Sequence, residues 1–160
     1  MDVFRRFVRQ ALAYVGAPYI WGGNGLFAFN TASLKLEQHQ HRVGNLLVNV
    51  FDCCGLVNVA LHLTGGPDWR GKKNAQTLFD DLVPAEQLLG MGHLLFYGPH
   101  QSRVTHVAIC LGVDGWIVEA AGGDQRNTRL PSSGSVRVRG WNERGDLLGA
   151  RKLPPFTTSH

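Results

Sequence analysis

Residues 50–57 read Val50-Phe51-Asp52-Cys53-Cys54-Gly55-Leu56-Val57 (VFDCCGLV), and the interpretation of the chain starts there. From Cys53 onward, Leu56, Val57, Ala60, Leu61 and Leu63 recur at helical spacing. Thr64-Gly65-Gly66-Pro67 then stops the pattern, which predicts a helix over 53–63. The segment is apolar nearly all round, so it belongs inside the molecule. Asp52 is an N-cap residue type, and its position puts Cys53 in the first turn, where unpaired N–H groups and the positive end of the helix dipole favour an anion. That setting favours thiolate over thiol, and the thiolate is the nucleophile. The same N–H groups suit the oxyanion formed when a thiolate attacks a carbonyl. Successive helical residues point about 100° apart, so only one of the two cysteines can face a given site.

Upstream, Val3, Phe4, Phe7, Val8, Ala11, Leu12 and Val15 predict a helix over 2–15, with Asp2 to open it and Gly16 and Pro18 to close it. GAPYIWGGNG (16–25) is a loop or short extended piece; it reads either as a tight turn packed by Tyr19 and Trp21 or, since glycines let backbone approach a ligand closely, as a pocket wall. Residues 26–50 carry little periodicity. A short helix there would be capped by Thr31 or Ser33, and His39 and His41, two apart, read as solvent-facing. Downstream, NAQTLFDDL (74–82) predicts a helix capped by Asn74. Strand-like runs follow at 93–97, 105–112, 116–121 and 136–139, separated by turn residues that include Asp114-Gly115. The C-terminal stretch from Val136 reads as two further strands closing the sheet, with Arg137 and Arg139 on its solvated face. Helices first and strands afterwards predict an α+β domain with an antiparallel sheet.

The 160 residues suit one domain, and 44% hydrophobic against 18% charged is a globular balance. No apolar run is long enough to span a bilayer, and the Arg-containing N-terminus lacks the apolar block of a secretory signal. The expectation is cytoplasmic synthesis with delivery by a route the chain does not encode. A net charge of +4 is too small and too scattered for nucleic acid and mildly favours an anionic polymer such as a bacterial cell wall. Three cysteines, two of them adjacent, argue against a disulfide framework. A zinc site built from Cys53, Cys54, His106 and Cys110 is disfavoured, because adjacent cysteines diverge and no C-x-x-C spacing occurs. No cofactor is expected.

A nucleophilic thiol needs an imidazole. His106, near the start of THVAICLG, can reach from a sheet towards a helix end. His62 lies too far along the cysteine helix, His93 and His100 flank a strand and a turn, and His160 is terminal.

GAPYIWGGNG, FDCCGLVNVAL, GHLLFYG and THVAICLGVDGWIVEAAGG, taken in order, resemble the successive blocks of the NlpC-type cell-wall cysteine peptidases, a bacterial and phage branch of the papain-like superfamily. The resemblance covers residues 8 to 123, interrupted by an insertion at about 24–50. It implies a single NlpC-type domain with the nucleophile helix packed on the sheet. The family pattern is Asp-Cys-Ser-Gly-Leu. It implies Cys53 as nucleophile, with Cys54 in the usual place of the serine, and His106, which opens the HVxI strand, as general base. It aligns Glu119 with the residue that orients the imidazole, and it puts Tyr19 and Asp52 in the substrate cleft. The implied activity is hydrolysis of peptide bonds in the stem peptide of peptidoglycan, between D-glutamate and a diamino acid. The implied carrier is a phage lysin or a tail-borne hydrolase with phage tail proteins as partners. The alternative is a tail or assembly component that keeps the fold with weak or no catalysis. The chain departs from the family where Met91-Gly92-His93 replaces Pro-Gly-Asp.

One local argument stands against Glu119. A strict two-residue hairpin at Asp114-Gly115 pairs Val113 with Trp116, hence Cys110 with Glu119 and His106 with Gly123. Glu119 then lies several residues from His106, and a wider turn, a bulge or strong coiling is needed to join them. Asp124 is the fallback orienter, and Glu119 without a catalytic role remains the alternative.

Overall fold

The computed structural model describes residues 2–29 and 46–157. The expected helix at Thr31 or Ser33, His39, His41 and His160 lie outside them. Three helices run Val3–Leu12 (α1), Cys53–Leu63 (α2) and Ala75–Asp81 (α3). A two-stranded sheet pairs Asn24–Phe29 (β1) with Leu46–Phe51 (β2). A six-stranded antiparallel sheet takes Val83–Pro84 (β3), Leu94–Tyr97 (β4), His106–Cys110 (β5), Trp116–Ala121 (β6), Ser135–Gly140 (β7) and Leu147–Lys152 (β8), in the order β3-β8-β4-β5-β6-β7. This is the α+β architecture expected, with strands concentrated in the second half.

α1 buries Phe7, Val8 and Ala11 and leaves Arg5, Arg6 and Arg9 exposed. α2 is buried from Gly55 through Leu61 and runs between α1 and the sheet. Asn74 and Thr77 form a reciprocal capping box that fixes the start of α3. The main core lies where these helices meet one face of the sheet, with Leu56, Ala60, Phe96, Val107, Ile109 and Val118 among its members. On the opposite face, Leu95, Tyr97, Ala108, Cys110 and Ile117 pack beneath Trp141 and Leu147.

The β1–β2 hairpin was not foreseen. The 24–50 stretch has too little alternation to read as strands, yet β2 leads directly into Asp52 and so delivers the cysteine helix. Its inner face packs Phe27 and Val48 with Ile20 and Val50.

The β5–β6 connection corrects the hairpin expected from sequence. Asp114 and Gly115 do form a tight turn, with φ of 48° and 73°, closed by the Trp116 N–H donating to the Val113 carbonyl at 2.9 Å. The Leu111 N–H then donates to the Trp116 carbonyl, also at 2.9 Å, so one residue of β6 faces a longer stretch of the other arm. Gly112, at φ 75°, absorbs this bulge. Cys110 therefore pairs with Ile117 and Ile109 with Val118, two residues away from the strict register.

Candidate active site

Asp52 has an extended backbone and caps α2, its Oδ1 accepting from the Gly55 N–H at 2.6 Å. Its Oδ2 accepts from the Gly22 N–H at 3.0 Å, which ties the 16–23 loop to the helix start. The Cys54 thiol donates to Asp52 Oδ1 at 3.3 Å. Burial and the nearby Cys53 charge raise the Asp52 pKa to about 6. The two thiols shift in opposite directions. The Cys54 S–H, shared between Asp52 Oδ1 and the Cys53 sulfur, and the hydrogen bond and charge of the His106 ring hold Cys53 well below the usual thiol value although burial opposes them. Cys54 is pushed up, first by that hydrogen bond with Cys53 and then by burial. Both shifts favour the negative charge on Cys53 and the proton on Cys54.

His106 opens β5 and is buried. Its Nε2 lies 2.7 Å from Glu119 Oε1, which leaves Nδ1 as the ring nitrogen for the Cys53 thiol. Burial alone would lower the imidazole pKa, but hydrogen bonds with Cys53 and Glu119 outweigh it and raise it to about 9. Glu119 is fully buried, yet its carboxyl titrates below its ordinary value. Burial pushes it up, and His106, Arg139 and Arg137 overcome that. The shifted β5–β6 register brings this carboxylate to the ring.

A cleft of about 530 Å³ opens over Cys53 and His106. Tyr19, Trp21, Asp52 and Asp124 line it, so all six residues singled out for catalysis or substrate but Glu119 border one space; Glu119 meets it through His106. Tyr19 is buried against Gly123, and burial followed by the Cys53 and Asp52 charges raises its pKa. Trp21 is 52% exposed at the rim. Asp124 pairs with Arg126 at 2.7 Å. A second recess of about 590 Å³, lined by Phe4, Trp69, Met91 and Pro154, holds none of the candidate residues. Among the described residues, no group of three or more His, Cys, Asp or Glu could hold a metal ion, and no helix is long and apolar enough to cross a membrane.

Arg137 and Arg139 correct the sequence reading. Both reach Glu119, Arg137 while keeping 42% of its side chain exposed and Arg139 with only 22%: Arg137 Nε lies 3.4 Å from Oε2 and Arg139 Nη2 lies 3.4 Å from Oε1. The alternation in VRVR carried a signal for this, since it puts both on one face of β7, beside β6.

Compared with known protein families, residues 16–145 match the NlpC/P60 family. The chain belongs to the NlpC/P60 family. Peptidoglycan endopeptidase RipB of Mycobacterium tuberculosis is 32% identical over 124 residues, which cover 78% of this chain and 46% of RipB. The chain thus spans about half the length of the curated relatives it matches. The solved structure of the peptidoglycan hydrolase RipB superposes with a TM-score of 0.60 at 23% identity, covering 96% of this chain and 66% of that one. RipD, also from M. tuberculosis and described as a non-catalytic NlpC/p60 domain protein adapted to peptidoglycan binding, gives 0.64 at 18% identity, covering 96% and 99%. At these identities the superpositions establish the NlpC/P60 fold.

Proposed function

We propose that this chain is a cysteine endopeptidase that hydrolyses peptide bonds in the stem peptide of bacterial peptidoglycan. The observation that carries the proposal is the pairing of the Cys53 thiol, at the start of a buried helix, with an imidazole whose far nitrogen is held by a buried carboxylate. Cys53, as thiolate, attacks the scissile carbonyl, and backbone N–H groups of the first turn of α2 stabilise the oxyanion. The imidazolium of His106 gives its Nδ1 proton to the leaving amine. Neutral His106 then takes a proton from water, which attacks the acyl-enzyme and frees Cys53. Glu119 fixes the tautomer and favours the imidazolium. Tyr19, Trp21 and Asp52 form the substrate walls. Cleavage between D-glutamate and a diamino acid, and delivery by a phage lysin or tail, extend this reading on the motif resemblance.

The test is digestion of purified peptidoglycan by the wild type and by Cys53→Ala, with products identified by mass spectrometry. New amino termini at one stem-peptide bond, absent with Cys53→Ala, are expected. Identical fragments from both proteins would overturn the mechanism. RipD supports a second reading, in which the fold binds wall peptide without cutting it. That reading predicts no fragments from either protein and retention of both on sacculi.

A further inference from the structure

Glu119 is fully buried, and a carboxylate at that depth is costly unless paired. One imidazolium would neutralise it, yet two guanidiniums also converge on it. Glu119 stands directly opposite Arg137 in the β6–β7 ladder, and Arg139, opposite Ile117, lies two residues along on the same face. Arg137 approaches Oε2. Arg139 spans both oxygens, Nη2 to Oε1 and Nε 2.5 Å from Oε2, the latter as an ion pair without hydrogen-bond alignment. The other charged or titratable groups around them are accounted for. Arg144 is held bidentately by Asp146 and lies over the Tyr97 ring. Glu143 is 4.0 Å from Arg139. The Tyr97 hydroxyl donates to the Trp141 carbonyl. Cys53 lies beyond His106.

We infer that Arg139, supported by Arg137, is a positioning residue for the proposed reaction: it keeps Glu119 anionic and in one orientation while His106 gains and loses its proton. The inference rests on the endopeptidase reading. In that cycle the imidazolium passes its Nδ1 proton to the leaving amine, and Glu119 loses its positive partner. A buried carboxylate left alone at that moment is driven to take up a proton. Protonated Glu119 would donate to Nε2, and the ring proton would then sit on Nδ1, the nitrogen that must next accept from water or thiol. The guanidiniums supply a permanent counter-charge, so the carboxylate stays an acceptor in both halves of the cycle.

The test compares Arg139→Gln, Arg137→Gln/Arg139→Gln and Arg139→Lys with the wild type. The readouts are the pH dependence of kcat and KM on a stem-peptide fragment and the 15N NMR titration of the His106 ring. The glutamine variants should lose about tenfold or more in kcat with little change in KM. The acid limb of their profile should move to higher pH, because Glu119 must now shed a proton that the guanidiniums had kept off. Arg139→Lys should recover most of the rate and the limb. A folded double variant with the wild-type limb and the wild-type His106 titration would overturn the inference. Should the wild type cut no wall peptide, the endopeptidase reading fails by itself, and the NMR titration still decides whether the arginines govern the Glu119–His106 pair. Should the double variant not fold, Arg139→Gln and Arg139→Lys carry the same comparison.

Discussion

Two thiols stand side by side at the start of α2, and their surroundings separate them. Cys53 receives hydrogen bonds and meets the imidazole, whereas Cys54 donates to Asp52. Cys110 is buried in the sheet, and burial raises its pKa. Iodoacetamide at about pH 6 should therefore alkylate Cys53 first and leave Cys54 and Cys110 largely unmodified, as read by peptide mass mapping. Cys54→Ser should leave this labelling and the activity within a few-fold of wild type, since a hydroxyl can make the same bond to Asp52. Asp52→Asn separates cap from charge. Asparagine keeps a side-chain oxygen for the Gly55 N–H but sets its NH2 against the Gly22 N–H, so the cap survives while thermal stability should fall by about 1–3 kcal/mol. Removal of the neighbouring negative charge eases Cys53 ionisation, so the rise of alkylation with pH should move to lower pH; a shift to higher pH would refute the assigned electrostatics. Raised His106 and lowered Cys53 pKa values define a window for the thiolate–imidazolium pair. Its alkaline edge lies near 9, where kcat/KM should fall as His106 loses its proton.

The helices were legible in the sequence because each had a period and a cap: Asp2 for α1, Asp52 for α2 and Asn74 for α3. The strands β4 to β6 were legible from apolar runs bounded by turn residues. The register between β5 and β6 was not, because it depends on a bulge at Gly112, and a residue that tolerates positive φ does not announce which way the ladder slips. The Glu119–His106 pair was therefore foreseen from the motif and contradicted by the local hairpin rule, and the bulge resolves the conflict. β1 and β2 went unseen because their inner face is supplied by Phe27, Val48 and Val50 over a short length, too little alternation to stand out. Gly55 is a position where sequence and packing agree. A methyl group there would collide with the Gly23 carbonyl oxygen and stand 2.8 Å from Asp52 Oδ1. The obstacle is backbone, which cannot rotate away, and it joins the 16–23 loop to the helix start. Gly55→Ala should cost about 3 kcal/mol or more in denaturant unfolding and abolish activity; a variant of wild-type stability would show that the loop and helix are not held together there.

The cleft exists only in the assembled molecule, since Tyr19 and Trp21 come from one loop, Cys53 from α2 and His106 from β5, and no two of these segments are adjacent in sequence. Their convergence was legible only through the ordered motif blocks; spacing alone could not choose among the histidines. Net charge is the property that acts over longer distances than any of these contacts. A net charge of +4 favours anionic partners, and on the proposed reading that partner is peptidoglycan, whose stem peptides carry carboxylates. Cys53→Ala removes the nucleophilic sulfur but leaves every Lys, Arg, Asp and Glu and the walls of the cleft in place, so it should bind sacculi without consuming them and allow binding to be measured alone. Attraction of this diffuse kind is screened as the Debye length falls from about 10 Å at 0.1 M salt to about 3 Å at 1 M. Cosedimentation of Cys53→Ala with sacculi should therefore weaken progressively over that range. Trp21→Ala in the same background should weaken it further at every salt concentration, because a half-exposed indole at the rim contributes apolar contact that salt does not screen. Retention that ignores salt but collapses with Trp21→Ala would assign wall recognition to the cleft alone and remove net charge from the account.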